Sequence, residues 1–126
     1  MKTTIFFLSF LLFMVAQPGF GQEKYAIVIH GGAGVMSKSA MSEEQQEAYK
    51  SKLNETLDLG QQLLKEGKTA TDVVVSVIEV LENSPLFNAG KGAVFTHDGI
   101  NELDASIMEG KTLNAGAVAG VRIVKN

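Results

Sequence analysis

Two glycine-rich segments contain the residues of this chain that are best suited to chemistry. The first is residues 30–34, with the sequence HGGAG, and it follows a run of four apolar residues. Backbone N–H groups that no side chain shields can bind an anion or form the wall of an active site. Taken alone, the segment is more typical of a tight turn in which a half-buried His30 covers the end of a strand.

The second segment is residues 81–92, with the sequence LENSPLFNAGKG. It has few polar side chains, and a tight loop with bare carbonyl groups suits a hard cation, which prefers oxygen ligands. Asn88 adds an amide that can both donate and accept hydrogen bonds in a confined turn. Two simpler interpretations stay open: the segment connects a helix to a strand, and Asn88 satisfies backbone groups near it.

A pair of carboxylates, Glu102 and Asp104, falls on the same face of a predicted strand. Paired carboxylates suggest acid–base catalysis, but such residues are more often a solvated strand face or a structural hydrogen-bonding pair. No serine lies in the Gly-x-Ser-x-Gly elbow of serine esterases, and no complete phosphate-binding loop is present. We expect His97, in a turn, to be exposed and without a catalytic role.

Two helices must position these segments. The first begins at Ser42, which predicts a capping box with Gln45, and Gly67 ends it. The second begins at Thr69, and Pro85 stops its continuation. Its apolar face is rich in Val and Ile, which are indifferent helix formers, so we expect packing against a sheet to stabilise it.

The rest of the pattern indicates strands, so the predicted fold class is α+β. Residues 24–29 lack alternation, as in a strand that is buried on both faces. Asp98-Gly99 is a hairpin-turn signal. Further strands are predicted at residues 93–96, 102–108 and 116–124.

The N-terminal residues 1–21 have the pattern of a secretory signal peptide, with Lys2, an apolar stretch and small residues before Gln22. The apolar stretch is too short to span a bilayer, which needs ~20 residues. The sequence therefore predicts a periplasmic or secreted protein with one partial domain, residues 22–126.

Charge and composition narrow the possible partners of this domain. Its net charge is about −4 without a basic cluster, which argues against nucleic acid and against a polybasic membrane anchor. The chain has no cysteine, which excludes disulfides and a thiol nucleophile.

Four blocks, taken in order, resemble the plant-type L-asparaginase / isoaspartyl peptidase (beta-aspartyl-peptidase) family of N-terminal-nucleophile (Ntn) hydrolases. The blocks are residues 30–34, 85–96, 102–110 and 115–121. The resemblance implies a four-layer αββα sandwich and a precursor that cleaves itself into α and β subunits. It also implies a threonine nucleophile, exposed by cleavage of a Gly-Thr bond, whose own α-amine acts as the base. This chain contains no Gly-Thr dipeptide, so it resembles the α-subunit part alone, and we expect it to be inactive by itself.

The resemblance also implies roles for particular residues. Asn88 would lie beside the nucleophile and support it, and no catalytic cofactor is implied. The loop implicated in self-cleavage would contain His30, Gly31, Gly32 and Gly34. A structural sodium ion would be held by the main-chain carbonyls of Leu81, Glu82, Ser84, Phe87, Ala89 and Lys91.

The implied substrates are L-asparagine and β-aspartyl dipeptides, and the implied partners are the β subunit of the same precursor and a second αβ unit, giving an (αβ)2 dimer. Because Gly-Thr is missing, a non-catalytic secreted scaffold or binding module of the same fold stays open as the alternative. An esterase-like hydrolase fragment would depend on the HGGAG block alone and is disfavoured.

Overall fold

The computed structural model of this chain describes residues 25–34, 37 and 39–126. Its elements are helix α1 (Glu43–Lys65), helix α2 (Ala70–Glu82), a short 3₁₀ turn (Gly90–Gly92), strand β1 (Leu103–Met108) and strand β2 (Ala115–Val121). Two helices followed by a two-stranded sheet agree with the α+β class in this part of the chain. The four layers of the αββα sandwich stay a prediction, and the predicted signal peptide, residues 1–21, lies outside the described residues.

Both helices begin at the residues that the sequence indicates, and α1 ends before Gly67 as predicted, whereas α2 ends at Glu82, before Pro85. The Ser42 hydroxyl accepts a hydrogen bond from the Gln45 backbone N–H, while the Gln45 side chain accepts one from the Ser42 N–H. These two bonds satisfy donors that the first turn of α1 leaves unpaired. Gly67 follows the helix at a φ of 79°, a left-handed conformation that glycine adopts without strain. Thr69 caps α2 by accepting from the Asp72 N–H.

Helix α2 packs against α1, which corrects the expectation that its apolar face lies on a sheet. Val73 and Val77 are buried and face Gly60 of α1. A Cβ on Gly60 would lie 3.1 Å from Val77 Cγ2, so the glycine allows the two helices to approach closely. Leu81 and Phe87 extend this core toward the loop that follows α2.

The prediction of a strand at residues 24–29 is wrong for the residues that the structure describes, because residues 25–29 do not form a strand. At least one apolar side chain of this segment packs against the helices instead of within a sheet, because Ile27 contacts the helix pair. Its Cδ1 lies 2.4 Å from where a Cβ on Gly60 would be. A strand requires a neighbour for its ladder of hydrogen bonds, and no strand of the described chain pairs with this segment.

The strand predicted at residues 93–96 is also wrong, although the turn after it forms. The Asn101 side-chain amide donates to the carbonyls of Ala93 and Val94, both at 2.9 Å, and these bonds replace a strand ladder. The Thr96 N–H donates to the Ile100 carbonyl at 2.8 Å. Gly99 stands within that turn at a φ of 73°, as the Asp-Gly signal predicts.

The sheet consists of β1 and β2, which pair antiparallel. This confirms most of the predicted strands 102–108 and 116–124, but β2 ends at Val121. The register shifts by one residue between the pairs Leu103–Val121 and Ala105–Val118. Gly120 lies within this bulge at a φ of 65°.

Much apolar surface of the described chain is open to solvent. Most residues of both strands are exposed, so neither face of the sheet is covered. On α2, Val74, Val75 and Ile78 are 44–48% exposed, and Phe95 after the loop is 72% exposed. None of the described helices combines the length and apolarity that a membrane span requires.

Candidate functional site

The loop that follows α2 folds back on itself, and two glycines make this possible. A Cβ on Gly92 would lie 2.1 Å from the Phe87 carbonyl oxygen and 2.8 Å from that of Pro85. A Cβ on Gly90 would lie 2.5 Å from the Glu82 carbonyl oxygen, and Gly90 has a φ of 52°. Only glycine fits at such close backbone approaches. Several carbonyl oxygens of residues 82–87 therefore face the returning segment, residues 90–92.

These inward carbonyls have the chemistry of a site for a hard monovalent cation. Glu82 and Phe87, two of the predicted sodium ligands, have carbonyl oxygens that face the glycines. The Ala89 carbonyl accepts one backbone hydrogen bond, from the Gly92 N–H, and a carbonyl oxygen has a second lone pair. The Leu81 carbonyl already accepts from the N–H groups of Asn83 and Ser84. Neutral oxygen donors are the ligands that such an ion prefers. The residues present fit a sodium ion, and the ion itself stays a prediction.

Side-chain metal ligands do not offer a competing site in the part of the chain that the structure describes. No group of three or more His, Asp or Glu residues is arranged there to hold a metal ion.

The loop is fixed to the helices at its middle. The Tyr49 hydroxyl, on α1, donates to the Leu86 carbonyl at 2.6 Å. The Tyr49 ring also meets Phe87 edge-on, with centroids 5.6 Å apart and an interplanar angle of 84°. Ser84 is buried, and its hydroxyl accepts from the Leu86 N–H at 3.3 Å. Both polar groups of the Leu86 backbone are thus paired with side chains, which holds the loop in one conformation.

The turn after His30 reaches this same loop. A Cβ on Gly31 would lie 3.2 Å from Phe87 Cε1 and 3.3 Å from Leu53 Cδ2, so the backbone of Gly31 rests on those two side chains. Gly32 follows at a φ of 105°, and its N–H donates to His30 Nδ1 at 3.3 Å. The two glycine-rich segments singled out in the sequence therefore meet at Phe87.

Asn88 lies next to this junction in an exposed position. It follows the buried Phe87 directly, so its backbone is fixed while its side chain is accessible from outside. His30 is likewise exposed, and Gly34 has open space around it. The structure thus brings the predicted turn and the predicted loop together, with accessible polar side chains at their border. Their functional roles stay predictions.

Both carboxylates of the pair, Glu102 and Asp104, accept hydrogen bonds from other residues of the chain. Glu102 Oε1 accepts hydrogen bonds from the Arg122 guanidinium, including one from Nε at 2.9 Å. Asp104 Oδ1 accepts from the Gly120 N–H at 2.8 Å, across the bulge. Both carboxylates are exposed and both are hydrogen-bonded within the sheet, which agrees with the two structural interpretations of this pair. His97 is exposed, as expected.

A cleft of about 340 Å³ separates the loop from the edge of the sheet. Glu82 and Lys91 line it from the loop, and Asn101 and Arg122 line it from the other side. Sequence reasoning missed Asn101, Arg122 and Tyr49, because each acts on a partner at least seven residues away. Only a pattern of long-range contacts would have identified them.

Comparison with known proteins identifies the family. A family model described as Asparaginase matches residues 23–126. The chain is 52% identical over 103 residues to an isoaspartyl peptidase of Salmonella typhimurium, an alignment that covers 82% of this chain and 33% of that relative. It is 50% identical over 103 residues to an isoaspartyl peptidase of Escherichia coli, which covers 82% of this chain and 32% of that relative. It is 50% identical over 101 residues to a plant-type L-asparaginase of Pyrococcus furiosus, covering 80% of this chain and 31% of that relative.

These matches define a hydrolase family whose members are named asparaginases and isoaspartyl peptidases. The chain belongs to this asparaginase family. It spans about a third of the length of the curated relatives it matches. The resemblance stated from the four sequence blocks is thereby confirmed.

Proposed function

We propose that this chain is the N-terminal, α-subunit part of an amidohydrolase that releases aspartate from L-asparagine, from β-aspartyl dipeptides, or from both. The main structural support for this proposal is the packing of Gly31 on Phe87, because it joins the turn after His30 to the loop that contains Asn88. The names of the relatives, isoaspartyl peptidase and plant-type L-asparaginase, support the substrate class.

The proposed chemistry uses a threonine that polypeptide beyond Asn126 would supply. Cleavage of a Gly-Thr bond would free the threonine α-amine, which takes the proton of the threonine hydroxyl as its oxygen attacks the substrate's side-chain carbonyl carbon. The α-ammonium group then gives this proton to the leaving nitrogen, so that ammonia or the amine of the dipeptide departs and an ester joins the threonine to the aspartyl group. Water then hydrolyses the ester, releases aspartate and restores the hydroxyl.

In this proposal the described residues position that threonine. Asn88, on the rim of a rigid loop, would place its amide beside the nucleophile and hold it by hydrogen bonding. The turn of His30, Gly31, Gly32 and Gly34 would form the adjoining wall and take part in self-cleavage. The α-amine, rather than Glu102 or Asp104, would provide the base, since both carboxylates are already hydrogen-bonded within the sheet.

The sodium ion belongs to the same proposal, in a structural role. It would be held by the carbonyls of the six predicted residues, Leu81, Glu82, Ser84, Phe87, Ala89 and Lys91. When bound, it would take these carbonyl oxygens as ligands and stiffen the loop, without taking part in bond making or breaking. The closeness of the Glu82 and Phe87 oxygens to the glycines supports this role.

The proposed protein is exported from the cytoplasm and assembled with a β subunit. Residues 1–21 would direct the chain out of the cytoplasm and be removed, which leaves residues 22–126 in the periplasm or outside the cell. A β subunit from the same precursor would complete the αββα sandwich, and two αβ units would pair as an (αβ)2 dimer. The open faces of the sheet and the exposed Val74, Val75 and Ile78 on α2 support a covering partner.

A second candidate function rests on one observation, the absence of a Gly-Thr dipeptide from the sequence. Without a nucleophile, the chain would be a secreted, non-catalytic scaffold or binding module of the same fold. The reading frame beyond codon 126 separates the two functions. Continuation to a Gly-Thr segment favours the enzyme, and a stop codon favours the module.

The direct test compares residues 22–126 with the product of the complete reading frame. Aspartate release is measured from L-asparagine and from β-aspartyl-leucine with both proteins. We expect turnover from the complete product and none from residues 22–126. Turnover by the short chain would contradict the missing-nucleophile argument, and inactivity of the complete product on both substrates would contradict the proposed function.

A further inference from the structure

Tyr49 makes a contact that the proposed reaction leaves unexplained. It lies on α1, 37 residues before Leu86 in the sequence, and its hydroxyl donates to the Leu86 carbonyl at 2.6 Å. Its ring packs edge-on against Phe87, which is 6% exposed. One side chain thus holds two successive residues of the loop.

The two carbonyls of these residues are held in different places. The Leu86 carbonyl is bonded to Tyr49, whereas the Phe87 carbonyl oxygen lies 2.1 Å from where a Cβ on Gly92 would be. The two peptide groups are joined at the Phe87 Cα by two rotatable bonds. With the Leu86 carbonyl and the Phe87 ring both held by Tyr49, rotation about ψ of Phe87 is the main freedom left to its carbonyl. The hydroxyl of Tyr49 therefore restricts where the Phe87 carbonyl can point.

We propose that Tyr49 is the positioning residue that holds the carbonyls of residues 81–92 ready for a monovalent cation. This inference rests on the sodium ion in the proposed function, and it assigns a role to a residue outside the loop. Without the hydroxyl, the Leu86 peptide would rotate more freely, and the ion would have to order the loop as it binds. Ordering on binding lowers affinity.

Replacing Tyr49 with Phe removes one oxygen and keeps the ring that packs on Phe87. A single neutral hydrogen bond accounts for about a fivefold change in an equilibrium constant. We therefore expect Tyr49→Phe to raise the half-saturating sodium concentration about fivefold. Tyr25→Phe is the matched control, since it makes the same chemical change on a side chain that is 41% exposed.

The experiment uses the product of the complete reading frame, as wild type and as the two variants. Melting temperature is measured over a series of NaCl concentrations, with choline chloride added to keep the ionic strength constant. A cation that binds the folded protein raises the melting temperature as its concentration passes its dissociation constant. The stabilisation follows RT ln(1 + [Na⁺]/Kd) and does not level off, so the dissociation constant, which equals the half-saturating concentration, is obtained by fitting each curve to this expression.

Three outcomes test whether Tyr49 positions the loop for sodium. A weaker sodium response in Tyr49→Phe, with Tyr25→Phe unchanged, supports the proposal. A lower melting temperature at every sodium concentration with the same half-saturation overturns it, because Tyr49 would then act on stability alone. No sodium-specific response in the wild type overturns both this inference and the sodium ion, while aspartate release by the same sample still tests the proposed function separately.

Discussion

Gly92 is the position at which a single methyl group should do most damage to the candidate site. In Gly92→Ala, the new Cβ would lie 2.1 Å from the Phe87 carbonyl oxygen, 2.8 Å from that of Pro85 and 3.0 Å from the Pro85 carbonyl carbon. All three are backbone atoms, which cannot turn aside as a flexible side chain can. Gly92 does not have a positive φ, so the expected cost is steric.

The magnitude follows from what the loop must do to accept the methyl group. Overpacking a well-fitted site costs about 1–3 kcal/mol, and a clash with two carbonyl groups belongs at the upper end, about 3 kcal/mol. For a domain of ~150–250 residues this lowers the melting temperature by ~6–12 °C. The relatives are about three times as long as the matched segment, so for the complete product we expect the lower end of that range, ~6 °C. We also expect a higher half-saturating sodium concentration, because the Phe87 carbonyl must move away from the returning segment.

The assay is thermal unfolding of the complete product, followed with and without sodium. Gly110→Ala is the matched control, since a Cβ there meets nothing within 4 Å and Gly110 has no positive φ. We expect the control to change the melting temperature by less than ~2 °C. Equal melting temperatures for the two variants would refute the tightly closed loop.

Further predictions concern the elements that hold the site, each measured by thermal unfolding of the complete product. Ser42→Ala should destabilise the protein by about 1 kcal/mol, since it removes the cap of α1; no change would contradict the capping box. Gly60→Ala should destabilise it through the contact with Ile27, and Ile27→Val in the same protein should recover part of the loss; strict additivity would contradict that contact. Glu102→Gln should cost less than ~1 kcal/mol, because the pair with Arg122 is exposed to solvent.

Local chemistry explains which parts of the fold the sequence predicts well. The capping box of Ser42 and the glycine that follows α1 depend on residues within one or two helical turns, so their signals are complete in the sequence. The Asp98-Gly99 turn is similar, since Gly99 has the positive φ that the dipeptide indicates. The alternating pattern of residues 102–108 likewise predicts β1 to within one residue.

Features that depend on distant partners were predicted poorly. Residues 25–29 have the composition of a buried strand, but a strand requires a neighbour, and in the described chain this segment lies on the helices through Ile27. Strand β2 ends at Val121, one residue after Gly120 in the bulge, although the apolar pattern of the sequence continues to residue 124. The sequence does not show where a strand loses its hydrogen-bonding partner.

In the candidate site, too, the local features could be predicted from the sequence and the contacts between distant residues could not. The glycines and carbonyls of residues 81–92 could be singled out because a tight, side-chain-poor loop is visible in the sequence. The contact of Gly31 with Phe87 and the hydrogen bond from Tyr49 join residues tens of positions apart. No periodicity or spacing encodes such contacts, so only the family resemblance linked the two segments before the structure did.

Intact-mass spectrometry of the purified product of the complete reading frame tests the central claim most directly. We predict two polypeptides, the second of which begins with threonine, in a sample that releases aspartate from L-asparagine or β-aspartyl-leucine. A single uncleaved polypeptide that releases aspartate would contradict the proposed nucleophile. A single uncleaved and inactive polypeptide would contradict the enzyme and leave the non-catalytic scaffold.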